Sequence, residues 1–424
     1  MKRLSGLDAG FLYGETPTWH MHVGALLLLG PSERPLDVEG YRAFLEERLP
    51  LIDTFRRRPA GVPFGLDRPV WEEVAEIDLR HHVRRVRVPE PGGPRELSEA
   101  LSPPFATRLD FRRPLWEAWV AEGLPDGRAA VLLKIHHAVA GGFTGLRILE
   151  HLLDVEPAPA PVTPVQPSRR DRVPSPPERL GRAAASWALL PLRTARLAPG
   201  LARAAIGLAR FRTSPDWADA TLPFQAPRTS FNRTLTSDRA LAFFSVPLDD
   251  VKRVKDAVGV TVNDVVLALC GGALRRYLAA RGELPDRPLV AQVPVAVHTP
   301  EAGGPKQVIG NQLTVMGSSL ATHVADPIER LRAIHAGTES GKHLQHVLGD
   351  DLVQDILGVL PRPSCTAPRA RTRASASPTT TRRSSASSPR TCPVRRCRST
   401  RPGPGSSTST RWGRSSSARA STSP

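Results

Sequence analysis

Lys134-Ile135-His136-His137-Ala138-Val139-Ala140-Gly141-Gly142 decides the reading of this 424-residue chain. Residues 129–136 form an apolar run of the length expected for a buried strand, and it ends in two histidines and a glycine-rich turn. Upstream, residues 116–124 are a second apolar segment. Pro125-Asp126-Gly127 between them suits a tight reversal, so the two are predicted to pair as a β-hairpin. Adjacent strand residues point to opposite faces, so only one of His136 and His137 can face a reaction cavity while the other faces packing or a hydrogen-bond partner. A neutral imidazole with a pKa near working pH can take the proton of an attacking alcohol and return it to a leaving group, with no covalent enzyme intermediate. Taken alone a histidine pair is weak, since His81-His82 is also present and paired histidines more often serve structure.

Around this segment, residues 1–155 alternate strand-like and helix-like stretches. Residues 23–29 read as a strand; Asp37 caps a helix marked by Tyr41, Phe44, Leu45 and Leu49; and Leu146, Leu149, Leu152 and Leu153 mark a helix after the glycine turn. Residues 156–229 form a connection. Its first part carries about eight prolines to residue 177 and favours an extended linker. Residues 183–211 are expected as short crossover helices broken at Pro191 and Pro199, with a basic amphipathic surface resting on lipid as the sharper reading. A second half, 230–360, is expected to hold a strand at 241–246, a helix at 248–258, a long helix capped by Thr261-Val262-Asn263-Asp264 and running to about Ala280, and a strand at 289–297. The fold class is α/β, as two α+β halves.

The net charge of +17 would suggest nucleic acid or an anionic membrane as partner, but residues 361–424 contain fourteen arginines and no lysine or acidic residue, which leaves residues 1–360 nearly neutral. Nucleic acid is therefore not expected as a partner. Cys270, Cys365, Cys392 and Cys397 show no disulfide framework and no metal-ligand spacing. The N-terminus lacks the apolar stretch of a secretory signal, and no apolar run approaches the roughly 20 residues of a membrane span. A cytoplasmic protein is expected, able to touch a membrane or lipid droplet peripherally.

The histidine segment resembles the H-H-x-x-x-D-G motif of coenzyme A-dependent acyltransferases. The likeness extends to Leu4-Ser5-Gly6-Leu7-Asp8-Ala9, Phe11-Leu12, His22-Val23-Gly24, His82-Val83-Arg84, Arg113-Pro114-Leu115-Trp116, Thr261-Val262-Asn263-Asp264-Val265-Val266-Leu267-Ala268 and Ala325-Asp326-Pro327. Over residues 4–358 the chain is similar to the bacterial wax ester synthase/diacylglycerol acyltransferase family. The resemblance implies a chloramphenicol acetyltransferase-like fold of two similar halves with a central tunnel. It implies transfer of a fatty acyl group from acyl-CoA, the co-substrate in place of any bound cofactor, to diacylglycerol or a long-chain alcohol. It makes His137 the general base beside His136, with Gly141 and Gly142 as the motif turn. Asn263 and Asp264 become substrate-site candidates, although such a pair is first of all a helix cap. Trp116 is a further candidate substrate contact whose plainer reading is a core aromatic. The motif's aspartate is Gly141 here, so the base is expected to be less firmly held and turnover lower. The alternative is a non-catalytic lipid-binding or lipid-droplet protein on the same fold.

Residues 361–424 lose hydrophobic periodicity and become arginine, serine, threonine and proline, a composition that cannot bury enough apolar surface to fold. If the codons for residues 390–405 are read two bases later, they permit a string of the type N-L-P-G-P-x-V-P-L-Y, which is similar to the family's C-terminal motif. The tail is therefore expected to be a frameshift product, with the shift between Leu360 and Arg390 and the last strands of the second half replaced.

Overall fold

The strand that ends in the histidine pair is the centre of the first half. In the computed structural model, residues 3–31, 36–139, 142–153, 175–222, 225–296, 313–349 and 352–359 are described, and they fall within the unit Met1–Cys365. The first half runs α1 (Gly6–Gly14), β1 (His22–Leu29), α2 (Val38–Arg48), β2 (Arg57–Ala60), β3 (Val70–Glu73), α3 (Leu79–His82), β4 (Val83–Arg87), α4 (Pro94–Ala106), β5 (Trp116–Glu122), β6 (Ala129–His136) and α5 (Gly142–Leu152). One sheet has the order β1-β6-β5-β4, with β6 antiparallel to both neighbours and β4 parallel to β5. The predicted hairpin is thus present as β5 and β6. Its reversal places Asp126 at φ 59°, a left-handed conformation that aspartate tolerates better than most residues. The Asp37 cap on α2 is also found, its carboxylate accepting from the Gly40 amide at 2.7 Å.

Every residue of β6 is buried, because both faces of the strand are covered. Val131, Leu133 and Ile135 join Leu45, Phe55 and Trp116 in a core between the sheet and α1, α2 and α5. Ala130 and Leu132 meet Leu97 and Leu101 of α4 on the other face. Each large aliphatic side chain buried this way contributes roughly 1.5–3 kcal/mol. The period of two then carries Lys134 and His136 to the α4 side. Lys134 is wholly buried there; its Nζ donates to the carbonyls of Pro104 (2.9 Å) and Thr107 (2.8 Å) and pairs with Glu117 (2.9 Å). Burial pushes its ammonium pKa down, and the Glu117 carboxylate works against that shift. The lysine thus closes the carbonyl end of α4. Close packing of the same helix explains Gly24: a Cβ there would stand 2.7 Å from the Phe105 ring.

The connection holds α6 (Pro176–Ala188) and α7 (Leu190–Phe211), and the second half holds α8 (Leu248–Val258), α9 (Val262–Ala280), β7 (Val290–Ala296), β8 (Leu313–Ser319), α10 (Pro327–Leu348) and α11 (Leu352–Val359). β7 and β8 pair antiparallel, and Leu267 and Leu278 of α9 pack with Leu289, Leu320 and Ile334 as the local core. α9 begins where the sequence placed it, with Thr261 and Asp264 forming a capping box.

Two expectations are corrected. Residues 241–246 form no strand. Their alternation is used against the first half instead: Leu241 and Phe243 pack on the Leu97–Leu101 cluster, and the Leu241 amide donates to Ser102 Oγ at 3.0 Å. Pro191 sits in the first turn of α7, where its missing N–H costs nothing, but Pro199 lies inside α7 and does not break it. Packing against α10 and α11 outweighs the proline penalty of about 3 kcal/mol. The linker segment 156–174 and the tail 361–424 lie outside the described residues.

Candidate active site

β6 delivers His136 into the interior and leaves His137 just past its end. His136 is wholly buried, its ring edge-on to Phe111 with centroids 5.5 Å apart. The Ala138 amide donates to His136 Nδ1 at 3.1 Å, so that nitrogen is the bare one and the proton sits on Nε2. Nε2 faces Glu15 Oε2 at 3.0 Å. Glu15 also accepts from the Met21 amide at 3.1 Å and from Arg108 Nε at 2.7 Å. Burial by itself would raise the Glu15 carboxyl pKa, but hydrogen bonds from His136, Arg108 and Met21 outweigh it and hold the pKa at about 2.

His137 is half-buried and stacks on Phe11 of α1, with ring centroids 4.9 Å apart and planes 18° from parallel. Its amide donates to the Met21 carbonyl at 2.8 Å. Burial, and secondarily the His136 imidazole, lowers its pKa below the ordinary histidine value, so the neutral base is the resting form at neutral pH. Across the sheet His22 pairs in register with His136, and its ring nitrogen meets the Phe105 carbonyl at 2.8 Å. Burial and then the neighbouring Lys134 charge bring its pKa down to about 4. The sequence reading missed Glu15, Met21 and Arg108, and it named Phe11 only within a family-like block. The one signal for Glu15 was its position between the family-like blocks at Phe11-Leu12 and His22-Val23-Gly24.

The other candidates lie elsewhere. Gly142 opens α5, whereas Gly141 lies outside the described residues. Trp116 is wholly buried in the core between Phe55 and His82, 4.4 and 4.5 Å away by ring centroids, and its indole N–H donates to the Phe55 carbonyl at 2.9 Å. It has no accessible surface to offer a ligand here, which fits the core-aromatic alternative. Of the second histidine pair, His82 is buried with Nδ1 2.7 Å from the Trp116 carbonyl. Asn263 is exposed in the first turn of α9. Asp264 is buried, and protein groups occupy both of its oxygens: the Thr261 amide and hydroxyl at 2.9 and 2.7 Å, His335 Nδ1 at 2.8 Å and the Thr338 hydroxyl at 2.7 Å.

Residues 4–266 match the model of the wax ester synthase/diacylglycerol acyltransferase catalytic domain, and residues 309–390 match that of the WS/DGAT C-terminal domain. The second match continues past Leu360 to residue 390, the far limit of the window in which the frame change is expected. A Mycobacterium tuberculosis protein provisionally named a diacylglycerol O-acyltransferase is 41% identical over 360 residues, covering 84% of this chain and 70% of its own length. A second M. tuberculosis protein with the same kind of name is 39% identical over 353 residues, covering 80% and 74%. The solved wax ester synthase/diacylglycerol acyltransferase from Marinobacter aquaeolei VT8 superposes with a TM-score of 0.57 at 30% identity, covering 84% of this chain and 75% of that one. With an imidazole carried past the end of a buried strand in both the expected segment and the expected fold class, the chain belongs to the wax ester synthase/diacylglycerol acyltransferase family and is an acyltransferase.

Proposed function

We propose that this protein transfers a fatty acyl group from acyl-CoA to diacylglycerol or a long-chain alcohol, with His137 as the general base. The observation that carries the reading is the placement of the two histidines: His136 is locked in the interior, and His137 is half-buried with a depressed pKa. The neutral His137 imidazole takes the proton of the acceptor hydroxyl as its oxygen attacks the thioester carbonyl. The carbon–sulfur bond then breaks, and the imidazolium returns the proton to the coenzyme A thiolate. Gly141 in place of the motif aspartate favours one rival reading, a protein that binds lipid without turning it over. Thiol release from palmitoyl-CoA with hexadecanol or diacylglycerol as acceptor separates the two. The expected result is transfer that His137→Ala abolishes while lipid association persists; no transfer by the folded wild-type protein would leave lipid binding alone.

The division into a first half (1–155), a connection (156–229), a second half (230–360) and an out-of-frame tail (361–424) belongs to the same proposal, and resequencing the coding DNA tests its last part. A peripheral contact with anionic lipid is the companion proposal. Its support is Phe64, 90% exposed with φ 55°, two residues before Leu66, whose carbonyl accepts from the indole N–H of Trp187 of α6 at 2.7 Å. Leu189 and Leu192 are also exposed, and α6 and α7 carry six arginines against one glutamate. No single helix among the described residues is long and apolar enough to cross a membrane. Co-sedimentation with vesicles of anionic and of neutral lipid tests the contact, and Phe64→Ser with Trp187→Ala should release the protein from the anionic ones.

A further inference from the structure

We propose that Glu15 is the positioning residue of the histidine motif, orienting His136 and, through His136 and Met21, fixing the backbone on both sides of His137. The inference rests on the reading of His137 as the base. Four groups form a closed circuit. Glu15 Oε2 accepts from His136 Nε2 (3.0 Å) and from the Met21 amide (3.1 Å), and the Met21 carbonyl accepts from the His137 amide (2.8 Å). The chain itself joins His137 to His136. On the far side, His136 Nδ1 accepts from the Ala138 amide, so the residue after His137 is tied to the same ring.

The single tautomer that satisfies both contacts of His136 has its proton on Nε2, and it requires an acceptor where Glu15 stands. The Glu15 side chain is only 1% exposed, and Arg108 holds its second oxygen, which fixes the carboxylate plane. The hydrogen bonds that keep this carboxyl ionised, with its pKa at about 2, also keep it an acceptor at every working pH. With glycine at 141, the motif's own aspartate is absent, and the circuit holds the histidine pair from the α1–β1 side instead.

The test compares Glu15→Gln, whose amide oxygen can still accept from His136 and Met21, with Glu15→Leu, which keeps bulk and loses the acceptor. Two readouts are taken: steady-state transfer from palmitoyl-CoA to hexadecanol, and the His136 Nε2–H proton signal in spectra of histidine-labelled protein. Misplacing a catalytic group by about 1 Å can cost about 100-fold. Glu15→Leu should therefore lower kcat by about 10- to 100-fold with KM for acyl-CoA little changed, and the His136 Nε2–H, left without its acceptor, should lose its low-field, exchange-protected signal. Glu15→Gln should retain most of kcat and that signal. A folded Glu15→Leu protein with wild-type kcat, or one whose Nε2–H signal is unchanged, overturns the proposal. If Glu15→Leu does not fold, Glu15→Gln decides: a folded protein with kcat more than about ten-fold down refutes positioning by the acceptor. A wild-type protein that transfers nothing, but whose Nε2–H signal is lost in Glu15→Leu, keeps the positioning role and removes the acyl-transfer reading.

Discussion

Replacing Asp264 by alanine separates the two readings that the sequence leaves open for this residue, helix cap or site residue. The carboxylate is 1% exposed and takes hydrogen bonds from Thr261, Thr338 and His335. Losing the cap at Thr261 costs about 1 kcal/mol. Losing the charge-assisted bond from the buried Thr338 hydroxyl costs about 1.5 kcal/mol, the low end of that class because Thr338 also reaches the His335 carbonyl at 2.9 Å. His335 is 34% exposed and regains water, so it adds no more than about 0.5 kcal/mol. The sum, about 3 kcal/mol, should lower Tm by about 4 °C for a protein of this size. Calorimetry at pH 7 measures it, and a double-mutant cycle with Thr338→Val should return a coupling near 1.5 kcal/mol. A melt within a degree of wild type with no coupling would refute the account of how α9 is held to α10. If stability falls as calculated while kcat at 20 °C is unchanged, the role is structural; a folded variant with little transfer would make Asp264 part of the reaction.

Three other outcomes are expected. Transfer should rise with pH with its midpoint below the ordinary histidine pKa of about 6.5, because burial favours neutral His137; a midpoint above pH 7 would count against His137 as the base. The Glu15 carboxyl is depressed from 4.5 to about 2, so the stability it contributes is complete above about pH 4.5 and is lost as pH falls toward 2; acid-unfolding curves of Glu15→Gln should be flatter over that window. Gly24→Val should drive a branched side chain into the Phe105 ring and loosen the end of α4 that Lys134 caps, costing about 2 kcal/mol in urea unfolding; an unchanged midpoint would mean the helix shifts without penalty.

What the sequence made legible was local. The β5–β6 hairpin announces itself through two apolar runs around Pro125-Asp126-Gly127, and the caps at Asp37 and Thr261 stand beside the helices they start. The failures are places where a distant partner decides. Residues 241–246 alternate like a strand, but they spend that alternation on α4 and its neighbours. Pro199 reads as a break until α10 and α11 are packed against α7. Lys134 looks anomalous inside an apolar run because its three partners come from α4, the loop after it and β5. At the site, the histidines were legible from their place at a strand end. Glu15 was not, because 121 residues separate it from His136.

That separation governs the order of assembly. A contact across so much chain forms only after the intervening loop has closed, and closure of long loops slows folding. During synthesis the N-terminal segment carrying Glu15 leaves the ribosome long before β6 exists to receive it. In a refolding experiment, catalytic competence should therefore emerge after the helical signal has recovered, at the rate at which α1 and β1 dock onto β6.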